Sequence, residues 1–126
     1  MRKQYHFRQV ADDTYIWDVH RLVELSQNFQ IQQVLLSEIK ELNEAYWFPK
    51  THPTTQQIIE HIQLIHNADL CYPIILCADG RVMDGMHRVA KAQLQKKTHI
   101  HAVRFEYMPE PDFINVDEDD LEYDDE

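Results

Sequence analysis

Hydrophobic and polar positions alternate between two periods along this chain. Residues 1–17 carry Tyr5, Phe7, Val10, Tyr15 and Trp17 in loose alternation, which predicts a strand or an extended arm. Asp18 is placed to cap a helix running to about Gln27. In it Val19, Leu22, Val23 and Leu25 fall mostly on one face and His20, Arg21 and Glu24 toward another. Gln32 to Leu36 reads as a short strand, and Ser37 as the cap of a helix with Ile39 and Leu42 inward and Glu38, Lys40 and Glu41 outward. That helix should stop near Tyr46-Trp47-Phe48, because the residue before Pro49 avoids the helical region. After the loop at residues 49–54, Thr54 or Thr55 caps a helix to about Asn67 with a wide apolar stripe from Ile58 to Ile65. Pro73 to Cys77 is a buried strand, Asp79-Gly80 a turn and Arg81 to Met83 a second strand. A helix from Gly85 to about Lys96 offers Val89, Ala90, Ala92 and Leu94 for packing, and His99 to Glu106 is a closing strand.

Composition narrows the class. The chain has 126 residues, 44% of them hydrophobic, which fits one domain with a real core. The formal charge of −10 is uneven. Eight of the 22 acidic residues lie in residues 117–126, leaving 14 acidic against 12 basic in residues 1–116, a net of −2. Residues 1–114 are therefore read as the folded domain, ended by Pro109 and Pro111, and residues 115–126 as an acidic tail too charged to bury anything, expected to be disordered or draped over a partner. Neither part has the basic balance of a protein that neutralises DNA phosphates, so DNA binding by this chain alone is disfavoured. Six residues of extended chain would separate Cys71 and Cys77 by roughly 20 Å, too far for a disulfide unless the chain folds back. Reduced thiols, no apolar leader and no apolar run of 18 residues point to a cytoplasmic protein without a membrane span.

Chemistry concentrates at Asp84-Gly85-Met86-His87-Arg88, where a strand gives way to a helix. Asp84 is a good N-cap and Gly85 lets the backbone come close to a ligand, so unpaired amides would face outward beside His87 and Arg88. Such a place suits an anion, above all phosphate; the plainer alternative is a capped helix whose arginine is solvated. Metal sites are less favoured. His61 and His66 are five apart and do not share a helical face, and His99 and His101 share a strand face without a third ligand nearby, which suits exposed edge histidines better.

The segment from about Pro73 to Phe105 resembles the core of the ParB/sulfiredoxin superfamily, in which strand, turn, strand, Gly-x-x-Arg helix and strand follow in this order. Partition proteins of that superfamily carry Gly-Glu-Arg-Arg at the helix start and bind CTP, sulfiredoxins carry Gly-Cys-His-Arg and bind ATP, and ADP-dependent free-serine kinases carry a version like Asp-Gly-His-His-Arg. The sequence here is closest to the last two. Met86 stands where sulfiredoxin has its cysteine nucleophile, so sulfinic-acid reduction is not expected. The resemblance implies an α/β (α+β) single domain, with a small mixed sheet flanked by helices and a phosphate site at the helix start.

On that basis Asp84, Gly85, Met86, His87, Arg88 and Lys91 are the candidate phosphate- and nucleotide-binding residues. The cofactor expected is ATP, ADP or CTP with Mg²⁺, for which Asp84 is a candidate ligand. Phosphotransfer or hydrolysis would also need a base. Glu24, Glu41 and Glu44 are the candidates, Glu24 being preferred, with His87 the second candidate catalytic residue. The alternative is a non-enzymatic nucleotide-sensing or protein-interaction module related to partition proteins, although their helix-turn-helix and dimerisation domains have no room here. A third reading gives the acidic tail the work, either contacting a protein partner or folding over Arg88 and Lys91.

Overall fold

The structure, a computed structural model, describes residues 3–123. It is a mixed α+β fold with two small sheets and, among the described residues, three α-helices. Strands β1 (Tyr5–Val10) and β2 (Asp13–Asp18) form an antiparallel hairpin, and helix α1 (Val19–Leu25) follows at once. As the sequence predicts, Asp18 is its N-cap, accepting from the His20 amide at 2.9 Å. The second sheet holds β3 (Gln32–Leu35), β4 (Ile74–Leu76), β5 (Val82–Asp84) and β6 (His99–Arg104) in the order β3-β6-β4-β5. It is mixed, with β4 parallel to β6 and the other pairs antiparallel.

Alternation along these strands explains the layers. Ile74, Leu76, Val82 and Ala102 face helix α3 (Met86–Leu94), while Ile75, Cys77, Met83 and Val103 face Trp17 and Leu22 on the hairpin side. Both faces of β4 are covered, which is why Ile74-Ile75-Leu76 is a continuous apolar run rather than an alternating one. Helix α2 (Thr55–Asn67) is capped by Thr54, with Gln57 completing a capping box, yet none of its residues is buried. It lies against α3 on the outside of the sheet, where the Lys91 ammonium donates to the carbonyls of His66 (3.0 Å) and Ala68 (2.7 Å) at its C-terminal end.

Several expectations are corrected. The helix predicted after Ser37 is instead two single 3₁₀ turns, Leu36–Glu38 and Lys40–Asn43, broken by Ile39 in an extended conformation. Leu36 and Ile39 both reach the core at a spacing of three, which the tighter turn satisfies. Glu41 points inward and is 2% exposed, because Oε2 accepts the Val82 amide at 2.7 Å and faces Arg81 Nε at 3.3 Å. Leu94 is exposed rather than packed. His99 and His101 are exposed, but on an inner strand, not an edge.

The chain also continues past its prolines. The Trp17 indole donates to the Pro109 carbonyl (3.0 Å), Asp112 accepts the Asp18 amide (2.8 Å), and β7 (Phe113–Ile114) pairs with β2. The segment read as a solvated tail from residue 115 lies on the hairpin as far as it is described. Asn115 caps the β2 start through the Thr14 amide, the Tyr5 hydroxyl donates to the Glu122 carbonyl (2.6 Å), and Leu121 is buried. Residues 124–126 of that expectation lie outside the described residues. Leu121 is the apolar anchor that composition alone hides among its acidic neighbours. Leu121→Ala should lower stability by about 2 kcal/mol in urea unfolding, and an unchanged midpoint would contradict the packing.

Candidate functional site

The β5–α3 junction is where the sequence places the chemistry, and its geometry is set by two residues. Asp84 ends β5 rather than capping the helix. The N-cap is Gly85, with φ +105° and no side chain to accept from the first-turn amides. Gly85 is required by packing. A Cβ there would stand 2.7 Å from Ile74 Cγ2 and 3.2 Å from Ile74 Cα, so the close approach expected toward a ligand is toward β4 instead. The amides of Met86 and His87 thus begin a helix without a side-chain cap and carry the positive end of its dipole.

Arg88 does not offer its fork outward. Nη1 donates to the carbonyls of Tyr72 (3.0 Å) and Pro73 (2.6 Å), and Nη2 pairs with Asp84 Oδ2 at 2.9 Å. Both partners of that ion pair are mostly buried, at 18% and 14% exposure. The clamp expected on phosphate is therefore turned onto the loop before β4. Asp84, expected as a magnesium ligand, has its Oδ2 paired with Arg88, and Lys91 donates to the end of α2.

His87 is where the structure adds most. Its Nε2 lies 2.8 Å from Nδ1 of His61 on α2, joining the two helices through a pair of imidazoles. Trp47 stacks on both rings, at 4.6 Å between centroids in each case. Burial, then the neighbouring His61, pushes His87 down to about 4, and burial also lowers His61 against the opposing pull of Glu60. At neutral pH both rings are therefore uncharged. Beside His87 opens a cavity of about 760 Å³, walled by Gly85, Met86 and His87 of the junction, Tyr46 and Trp47, and Lys3 and His6 of the hairpin side. Tyr46 is held as a phenol, raised to about 12 by burial and by the carboxylates of Glu41 and Asp84.

The base candidates stay outside this cavity. Glu24 is exposed on α1, and Glu44 grips Arg81 with both oxygens at 2.7 and 2.8 Å. Glu41 is spent on Val82 and Arg81, with Oε1 buried and unpartnered. Among the described residues Asp84 is the one carboxylate lining the cavity. On the far side of Arg88 lies a second hollow of about 650 Å³, lined mainly by apolar side chains such as Val23, Phe29, Ile75 and Val103. No helix among the described residues is long and apolar enough to cross a membrane, and no group of three or more His, Cys, Asp or Glu side chains converges there as metal ligands would.

Trp47 and His61 are the site residues that sequence reasoning missed. Helical spacing pairs His61 with its own helix, and nothing in the sequence announces that its partner comes from α3. A sequence signal did exist in Tyr46-Trp47-Phe48, an aromatic cluster placed in a loop, where it need not serve the core.

The buried histidines give the fold an acid limit. His6, half-buried beside Trp17 and Arg8, is lowered to about 3 by burial first and then by the arginine. Its folded value lies below its unfolded one of 6.5, so the unfolded chain takes up the proton first. Stability is full above pH 6.5 and should fall toward pH 3 by up to about 1.4 kcal/mol per pH unit for this group. Urea unfolding at pH 7 and pH 5 checks this, and His6→Phe should flatten the dependence.

Family models, curated proteins and solved structures were compared with this chain, and none of them matches it.

Proposed function

We propose that this protein binds a phosphate-bearing ligand, a nucleotide of the ADP, ATP or CTP kind, in the cavity in front of α3, within a core of the ParB/sulfiredoxin type. The observation that carries the reading is the uncapped start of α3. Gly85, Met86 and His87 of the first turn, whose amides have no side-chain acceptor, line a cavity that also holds Lys3 and an aromatic wall. A volume of about 760 Å³ falls in the range of small-molecule and cofactor sites. The order of β4, β5, α3 and β6 also matches the succession of elements in that superfamily core.

Binding is favoured over phosphotransfer. The only carboxylate lining the cavity among the described residues is tied to Arg88, so no free base stands ready for an attacking hydroxyl. The protein is thus read as a nucleotide-binding module, with Arg88 and Asp84 supporting the junction rather than holding the phosphate.

Calorimetry with ADP, ATP, CTP, GTP and pyrophosphate, with and without Mg²⁺, tests this. Affinity should drop about tenfold or more in His87→Ala, as expected for losing a hydrogen bond to a charged group. Equal affinity in the variant would remove the site from the junction, and an absence of binding to all five would end the reading.

A further inference from the structure

His61 belongs to a helix that nothing buries, and its side chain reaches across to the one imidazole at the α3 start. With Nε2 of His87 engaged by His61, Nδ1 is the ring nitrogen His87 has left for a ligand. The contact holds one proton between two neutral rings, so one nitrogen donates and the other accepts. If His87 donated, its Nδ1 would carry a lone pair and meet an anion with repulsion. If His61 donates from Nδ1, His87 is fixed as the Nδ1–H tautomer and can give a hydrogen bond to a phosphate oxygen while remaining uncharged.

We propose that His61 is a positioning residue of the anion site, holding His87 as the Nδ1–H tautomer so that a neutral imidazole donates to the bound phosphate. The inference rests on the phosphate reading above and deepens it. Geometry supports it twice. Trp47 lies at 12° to the His87 ring and 30° to the His61 ring, so neither imidazole can swing away without unstacking. No charged neighbour competes for His61 Nδ1: Glu60 lies beside His61 without a hydrogen bond to it, Asp84 is paired with Arg88, and Lys3 is paired with Asp18. A neutral donor also suits this position, since a helix start disfavours a positive ring. Burial and His61 hold His87 well below neutral pH, in agreement.

The test is the ¹⁵N pattern of the histidine rings at pH 7 in the full chain saturated with pyrophosphate. His87 should show a protonated Nδ1 and an unprotonated Nε2. His61→Phe keeps a ring against Trp47 but removes the donor, and should weaken pyrophosphate binding about fivefold and release the tautomer. His61→Asn, whose side-chain N–H stands where Nδ1–H does, can take over the donation and should restore affinity to within about twofold. A complex in which His87 carries its proton on Nε2, or on both nitrogens, would overturn the inference while leaving the phosphate site in place. So would equal affinity in His61→Phe. Failure of the unaltered protein to bind pyrophosphate would remove the phosphate reading and this inference together.

Discussion

Gly85→Ala should cost the protein about 4 kcal/mol, a large share of the ~5–15 kcal/mol that holds a domain of this size together. Two effects add. Alanine at φ +105° is strained whatever surrounds it, and its methyl would lie 2.7 Å from Ile74 Cγ2 and 3.0 Å from Ile74 Cβ. Ile74 has no room to give, being fully buried in the middle of the sheet. The expected result is a sharp loss of thermal stability, or an insoluble product, with Gly80→Ala as the contrast. Gly80 also has a positive φ, but a methyl there would meet only the Arg104 guanidinium, at 3.8 Å and beyond. If both variants lost the same small amount, the tight contact between the junction and β4 would be wrong.

Arg88→Ala should destabilise the fold by about 3 kcal/mol, before any effect on a ligand. The substitution leaves the carbonyls of Tyr72 and Pro73 without their donor and the Asp84 carboxylate mostly buried without its counter-charge. Asp84→Asn tests the same pair from the other side and should cost less, since the amide can still accept from the arginine. Denaturant unfolding gives both values. A stable Arg88→Ala protein that had lost only nucleotide affinity would restore the arginine to the role the sequence suggests for it. The distinction matters because the two roles predict the same loss of binding, and stability alone separates them.

Local signals were legible where one residue acts on its own neighbours. Asp18 as a cap, Thr54 as another, and the buried run Ile74-Ile75-Leu76 all depend on a few adjacent positions, and each stands where the chain predicts. What the sequence could not display is long-range partnership. Arg88 points at carbonyls 15 and 16 residues earlier, Lys91 at a helix end 23 and 25 residues away, and His87 at an imidazole 26 residues away. Each of these side chains reads as free for a ligand until the fold brings its partner. The same limit applies to the acidic C-terminal segment, where charge density suggests a solvated tail and one apolar residue, Leu121, decides otherwise as far as the segment is described. At the site itself, the motif located the junction, but the neighbours that shape its chemistry, Trp47 and His61, come from a loop and a helix with no motif of their own.

The most direct measurement is the amide spectrum of the ¹⁵N-labelled protein during a titration with pyrophosphate. The Met86 and His87 amides and the Trp47 indole should move together and saturably, with the amides around Val23 and Phe29 still. Saturable shifts confined to the apolar hollow beyond Arg88, or none at all, would contradict a phosphate site at the junction.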